Sequence, residues 1–349
     1  MIQKIKIKNF RGITKGEMDF SPVTILLGAN NSAKSTIIEA LFLAPNPCRK
    51  VPYVNLENKQ QYSALEACFY LHLTLDYQGY AFLLHNYTSK RAEITINENE
   101  YTLNFIRSDP HIYLKETGIK VKKTEINHVF QEINGVQTRI FAQLSLNSLN
   151  FTAWYKRPIF GESLLIPPRL LRPCYEYMRQ QWMVIVNSKI ARKIAAEAST
   201  FSPENYDDFT LEPIIGGRSD INAYLKDGRR IRLGDLGQGI QNYVISRTLY
   251  ELANPEVLLW DDIESHLNPR MLLHIADWFN EIVERNKQII ISTHSLEAAK
   301  VVAGVNEEHT QIYMTSLEES RLRTKKLTLD DLEKLQKAGI DPRTAEAFL

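Results

Sequence analysis

Ile5, Ile7 and Phe10 interleave with Lys4, Lys6 and Lys8, a near period of two that predicts an opening strand with one wet face. Residues 23 to 27 are almost wholly apolar, so the next strand is read as central and buried on both faces. Ile37, Ile38, Leu41 and Phe42 then recur at helical spacing and stop before Pro45. The chain therefore opens as strand, strand, polar loop and helix.

Residues 63 to 105 alternate apolar with polar positions around a turn at Tyr77, Gln78 and Gly79, which predicts antiparallel hairpins. Ile126, Val129, Phe130 and Ile133 have helical spacing and end at Gly135. Short strands are expected at 139 to 144 and at 164 to 166, ahead of Pro167 and Pro168. Tyr175, Met178, Trp182, Ile185, Ile190 and Ile194 predict one long helix over 173 to 198. Asp227 and Gly228 mark a hairpin turn. A helix is expected from Gly239 to 252, followed by an apolar strand at 257 to 260. Pro269 suits the first residue of a further helix, since its missing N–H would be unpaired there anyway. A buried strand at 289 to 292 and a terminal helix at 329 to 337, opened near Thr328, complete the pattern. No repeat or sustained heptad is present, so long coiled-coil arms are excluded.

Composition changes the picture mainly by exclusion. The 349 residues carry 42 Lys+Arg against 41 Asp+Glu, a net charge of +1, with 44% hydrophobic residues and 3 cysteines. Bulk charge therefore selects no partner, and any nucleic-acid contact must come from a local face. Three basic clusters are candidates: Lys120, Lys122 and Lys123; Lys189, Arg192 and Lys193; and Arg229, Arg230 and Arg232. Their rival reading is a solvated face balanced by neighbouring Glu and Asp. Cys48, Cys68 and Cys174 have neither disulfide-framework nor zinc spacing. With no secretory signal and no apolar run of membrane length, a cytoplasmic protein without a membrane partner is expected.

The loop after the second predicted strand carries the clearest chemistry. Gly28, Ala29, Asn30, Asn31, Ser32, Ala33, Lys34 and Ser35 follow the GxxxxGK[ST] spacing, with Ala33 in place of the second glycine. A tight loop leaving an apolar strand turns backbone N–H groups around phosphate oxygens, with a helix N-terminus behind them. Lys34 would neutralise the β and γ phosphates of ATP, and Ser35 would offer its hydroxyl to Mg²⁺. Thr36 is a secondary polar contact. A left-handed Cβ at Ala33 would cost roughly 1 to 2 kcal/mol, which lowers the expected affinity.

Farther along, VLLWDD delivers Asp261 and Asp262 from the end of an apolar strand. A carboxylate at such a position is costly unless it meets a cation or hydrogen bonds. Asp261 is assigned to the Mg²⁺ side, acting through Ser35 or a bound water. Asp262 is assigned as the base that positions the attacking water.

NFRG at 9–12, GANNSAKST at 28–36, LGDLGQG at 233–239, LLWDDIESHLNP at 258–269 and STHS at 292–295 occur in this order. The set resembles the ATP-binding-cassette heads of the RecF, chromosome-maintenance and OLD-like ATPases, and GIDPR at 339–343 is similar to the tail of small stand-alone members. The resemblance implies an α/β P-loop NTPase of the ABC-ATPase head type. It implies a mixed central sheet with an antiparallel β subdomain and a helical subdomain. One head would fill 1–349, with the phosphate loop in 1–62, hairpins and helical insertion in 63–235, and the remaining motifs in 236–349.

The same resemblance assigns roles. Gly237 and Gly239 match the signature loop that binds the γ-phosphate held by a second subunit. Residues 265–268 match the D-loop across the dimer interface, and His294 matches the switch histidine. Glu264 matches an acidic position beside the magnesium carboxylate, Arg11 matches arginines that contact nucleotide, and Gln143 is the candidate for a Q-loop equivalent. The partners implied are a second copy with ATP sandwiched between, and DNA or an effector protein beyond it. Ala33, Gly237 and Asp262 depart from the family pattern, where Gly, Ser and Glu are usual, so slow hydrolysis is expected. The alternative is an ATP-responsive switch that does not hydrolyse and regulates an effector.

Overall fold

The computed structural model describes residues 1–72, 79–97, 101–117, 130–133, 136–153, 162–213, 217, 219–265, 267 and 269–339. Strands β1 (Lys4–Phe10) and β2 (Ile13–Asp19) form a hairpin whose inner side buries Ile5, Ile7, Phe10, Ile13 and Met18. The fully buried β3 (Val23–Leu27) leads through the glycine-initiated loop into α1 (Lys34–Leu43). A small pair, β4 (Lys50–Val54) and β5 (Gln61–Ser63), precedes α2 (Ala64–Leu71).

An antiparallel wing follows, made of β6 (Arg91–Ile96), β7 (Tyr101–Ser108), β8 (His111–Thr117), β9 (Phe130–Ile133), β10 (Val136–Ser145) and β11 (Phe151–Ala153). The chain then returns to the centre as β12 (Ser163–Ile166). Three helices, α3 (Leu171–Gln180), α4 (Trp182–Asn187) and α5 (Ile190–Phe201), lead to a separate three-stranded sheet of β13 (Tyr206–Pro213), β14 (Ser219–Leu225) and β15 (Arg230–Arg232). The last part alternates helix and strand: α6 (Gln238–Ala253), β16 (Val257–Trp260), α7 (Pro269–Glu284), β17 (Gln288–Thr293) and α8 (Leu296–Val305). It ends with the hairpin β18 (Thr310–Glu318) and β19 (Arg321–Leu327), then α9 (Leu329–Lys337).

Among the described residues one mixed sheet joins fourteen of these strands. Its path runs β11-β10-β8-β7-β6-β1-β2-β19-β18-β3-β17-β16-β12, with β9 beside β10. Neighbours from β18 through β12 are parallel, and those from β1 through the wing are antiparallel. Helix α1 packs on β12, β16 and β17, while α8 packs on β3, β17 and β18. Register makes the parallel strands end level: Ile166 pairs with Trp260 and Trp260 with Ile291, and Thr293 pairs with Leu27. The residues just beyond those ends share one rim, the place where open α/β sheets bind ligands.

Three expectations from periodicity are corrected. Residues 64–71 form α2 where a hairpin strand was expected, because Ser63 and Glu66 make a reciprocal capping box that starts a helix; the expected turn at Tyr77 and Gln78 lies outside the described residues. Phe130 and Ile133 lie on β9, paired with Arg139 and Val136 of β10, where a helix was expected. Four residues are too few to separate the two periods, and the neighbouring strand supplies the hydrogen bonds. The long helix over 173–198 is broken at Gln181 and at Lys189, whose left-handed φ of 58° ends one helix and opens the next.

Candidate functional site

Three parallel strands, β3, β16 and β17, bring sequence-distant motifs to the rim. From β3 comes the phosphate loop, in which Gly28 has no room for a side chain: a Cβ there would lie 2.6 Å from the Thr315 carbonyl oxygen of β18. Asn31 (φ 63°) and Ala33 (φ 72°) are left-handed, so the strain expected at Ala33 is present in the backbone. Ala33 is the N-cap of α1, and no side chain caps that helix. Its first N–H groups face the loop and suit an anion.

Lys34 is buried, and its ammonium donates to the carbonyl oxygens of Gly28 (2.9 Å) and Ala29 (2.8 Å) and to Ser32 Oγ (3.3 Å). It also lies 3.3 Å from His294 Nδ1. Burial pulls the Lys34 pKa down to about 8, against the upward pull of Asp262, Asp261 and Glu264.

From β16 come the two carboxylates. Ser35 Oγ donates to Asp261 Oδ1 at 3.2 Å, so hydroxyl and carboxylate meet across 226 positions of sequence. Ser292, at the end of β17, donates from Oγ to the same oxygen at 2.5 Å and accepts from the Asp262 N–H at 2.9 Å. Asp262 is left-handed (φ 51°), and its carboxylate lies 3.3 Å from His294 Nε2. Burial and the adjacent Asp261 raise its pKa, with His294 opposing. Glu264 reaches the same strand end differently: its Oε1 accepts from the backbone N–H of His294 at 2.6 Å, and among the described residues its buried Oε2 has no hydrogen-bond partner. It thereby fixes the backbone of the histidine.

Arg11, also left-handed (φ 52°), is held by an ion pair to the buried Glu39 of α1 and lies 3.2 Å from His72 Nδ1. His72 Nε2 is 2.7 Å from Glu39 Oε1. Burial, then Arg11 and Arg169, push His72 down to about 3, so this imidazole is neutral. Gly237 is the N-cap of α6 and Gly239 its second residue, at an exposed helix start. Among the described residues neither shares a hydrogen bond or ion pair with the phosphate loop. Asn242 of α6 donates to the Ser265 carbonyl at 3.3 Å, tying the signature helix to the D-loop. His266 and Asn268 of that loop lie outside the described residues, as does GIDPR from its second residue onward.

Gln143 sits on β10, paired with Tyr113 and Thr152 in the antiparallel wing and many strands from the rim. Five residues of the basic clusters meet balancing partners: Arg192 with Asp208, Lys193 with Glu251, Arg229 with Asp227 and Glu204, Arg230 with Glu212, and Arg232 with Asp235. Lys120, Lys122 and Lys123 lie outside the described residues. Ser292, Glu39 and His72 were not singled out from the sequence. Only Ser292 carried a signal, its place in the STHS motif.

Two family models match this chain. An AAA ATPase domain model covers residues 1–162, and a model for an AAA domain named after the AbiEii toxin of a type IV toxin–antitoxin system covers residues 188–299. The first spans the phosphate loop, and the second spans the signature loop, both carboxylates and His294. Both matches are to AAA-type ATPase domains. A curated relative from Helicobacter pylori (strain ATCC 700392 / 26695), named ATP/GTP phosphatase, is 23% identical over 350 residues, covering 91% of each chain. Among solved structures, an Smc head bound to the C-terminal winged-helix domain of ScpA aligns with a TM-score of 0.55 at 17% identity, over 95% of this chain and 99% of that one. An Smc head with an extended coiled coil from Pyrococcus furiosus aligns at 0.50 and 14% identity, over 97% and 98%. The fold of this ATPase head is thus the P-loop NTPase fold of those heads. Among its described residues no helix is long and apolar enough to cross a membrane.

Proposed function

We propose that this ATPase head is Mg²⁺-dependent and works as a pair of identical chains, each placing its signature loop on ATP held by the phosphate loop of the other. The supporting observation is the position of Gly237. It lies at an exposed helix N-terminus built to receive an anion, yet among the described residues it has no bond to its own phosphate loop. The tie between Asn242 and Ser265 makes the signature helix and the D-loop one surface for a second copy.

The residues fit a hard divalent cation. Among the described residues no three His, Cys, Asp or Glu side chains converge into an all-protein cage. The Ser35 hydroxyl and the Asp261 carboxylate instead offer two oxygens at the phosphate loop. That is the donor set of Mg²⁺, which keeps its remaining positions for water and substrate phosphates. When bound, the ion supplies charge neutralisation of the phosphates. The chain's own groups do the rest. Lys34 and the N–H groups at the start of α1 bind the phosphates. Asp262, with its raised pKa and its contact to His294, orients the attacking water and takes its proton. Glu264 and Ser292 hold His294 and the two aspartates in register. The left-handed strain at Ala33 and the short reach of Asp262 favour slow turnover. Slow turnover suits a machine in which ATP binding joins two heads and hydrolysis releases them, with DNA or an effector protein as the responding partner.

Size measurement by light scattering tests the reading. The Asp262→Asn variant with ATP and Mg²⁺ should run as a dimer, and Lys34→Ala with the same additions as a monomer. Asp262→Asn remaining monomeric at high protein concentration with saturating ATP and Mg²⁺ would overturn it.

A further inference from the structure

Three of the four level strand ends deliver groups already assigned: β3 the phosphate loop, β16 the two aspartates and β17 His294. The fourth, β12, ends beside them. The Asp261 N–H donates to the Ile166 carbonyl at 3.1 Å, so the β12 exit is bonded directly to the residue that carries the metal-side carboxylate. Pro167 and Pro168 follow, with no N–H to extend the strand. The first charged side chain after them is Arg169.

Arg169 is exposed, and among the described residues it has no carboxylate partner. Among the described residues its one hydrogen bond runs from Nη1 to the Leu71 carbonyl at 3.0 Å, immediately before His72. His72 in turn contacts Arg11 and the buried Glu39 of α1. A ring of bonds therefore closes on the first half of α1: Ser35 to Asp261, Asp261 to Ile166, the β12 exit through Arg169 to the end of α2, and His72 through Glu39 back to α1. Arg11 and Arg169 are the cations of this ring, and both act on His72 together with Asp261, whereas Lys34 lies 3.3 Å from His294 Nδ1. Arg11 is already neutralised by Glu39. Arg169 is not, and it borders a cavity of about 350 Å³, so its guanidinium has room to turn.

We infer that Arg169 is a further phosphate ligand of the nucleotide site, delivered by the β12 exit to the Asp261 side, where its guanidinium leaves the Leu71 carbonyl for the terminal phosphate of ATP. A guanidinium suits this exchange because it gains charge-assisted, bidentate bonds to phosphate in place of one neutral bond to a carbonyl. Releasing Leu71 would free the end of α2 when ATP is bound and leave it tied when ADP is bound. This rests on the ATP reading of the phosphate loop and deepens it.

The test compares Arg169→Ala, Arg169→Lys, Arg172→Ala and Lys34→Ala for steady-state ATP turnover and for ATP and ADP affinity. Arg172 lies one turn on, is exposed and borders the same cavity, so it controls for loss of charge alone. Arg169→Ala should lower kcat roughly tenfold or more and weaken ATP, while ADP affinity stays within about twofold. Arg169→Lys should restore part of kcat, and Arg172→Ala should match the wild type. A purely structural tie to Leu71 would instead weaken ATP and ADP alike, and that result overturns the inference. So does wild-type kcat and ATP preference in Arg169→Ala when Lys34→Ala is inactive. Undiminished turnover in Lys34→Ala would bring down the ATP reading itself.

Discussion

The Lys34 ammonium donates to the Ala29 carbonyl oxygen at 2.8 Å, so the phosphate-loop cation is bound by the loop that presents it. On the proposed reading, ATP draws Lys34 away from that carbonyl and from Gly28, and can do so only while the amine is charged.

With its pKa lowered to about 8, Lys34 loses its proton as pH rises through that value in the free protein. Bound phosphates favour the charged form and raise the pKa, so binding takes up a proton above pH 8. ATP affinity is therefore expected to be flat below about pH 7.5 and to fall roughly tenfold per pH unit above about 8.5. Titration calorimetry in buffers of different ionisation enthalpy reads that proton uptake directly. Lys34→Arg, which stays charged, should flatten the profile even where it binds less tightly.

Ala33→Gly removes the left-handed Cβ at the start of α1, a relief of roughly 1 to 2 kcal/mol. Glycine also raises the entropy of the unfolded chain, which costs about 0.4 to 1 kcal/mol. The net change in stability should be a gain of between about zero and roughly 1.6 kcal/mol. Nucleotide affinity should improve as well, because the loop can approach the phosphates more closely. Thermal unfolding and ATP titration check the two parts separately.

Ser292→Ala should reduce turnover far more than it reduces binding. The hydroxyl bonds both Asp261 Oδ1 and the Asp262 N–H, so its loss leaves a donor unpaired and lets both carboxylates drift. The stability cost is expected near 1 to 3 kcal/mol. A drop in kcat of roughly tenfold, with ATP affinity within about threefold, is the expected pattern for a lost positioning bond. Ser292→Thr, which keeps a hydroxyl, should recover part of it.

On the outer face of the sheet, Lys8 is directly opposite Lys15 and Lys15 directly opposite Arg321. Glu93 pairs with Lys8 at 3.3 Å, while Lys15 stands between two like charges. Like charges across a ladder oppose pairing. Lys15→Thr should therefore raise stability by a few tenths of a kcal/mol, and the gain should shrink in 0.5 M salt, roughly, as screening removes the repulsion. Chemical denaturation at low and high salt measures it.

The sequence announced the rim better than it announced the sheet. Apolar runs bounded by glycine or acids, as in Val23–Leu27 and Val257–Trp260, are legible because a buried strand ending in a polar site leaves both marks at once. The wing was partly legible, since β6 and β7 alternate, but a mixed sheet in which β19 lies beside β2 joins strands whose pairing no local pattern encodes. Likewise α2 was hidden because ALEACFYL is buried over most of its surface, which erases helical periodicity and leaves only the Ser63 and Glu66 cap as a signal. Glu39 and His72 escaped for a related reason. Glu39 is an ordinary polar residue on a helix and His72 one just past a helix end until the fold sets them against Arg11.

The proposed pairing of Gly237 with the phosphate loop of a second chain also bears on genetics. In a site shared by two chains, a copy disabled at Lys34 and a copy disabled at Gly237 carry complementary defects. Their heterodimer holds one composite site with both lesions and one with neither. Two inactive alleles expressed together should therefore restore part of the activity that each lacks alone, whereas two alleles altered within the same half of the site should not.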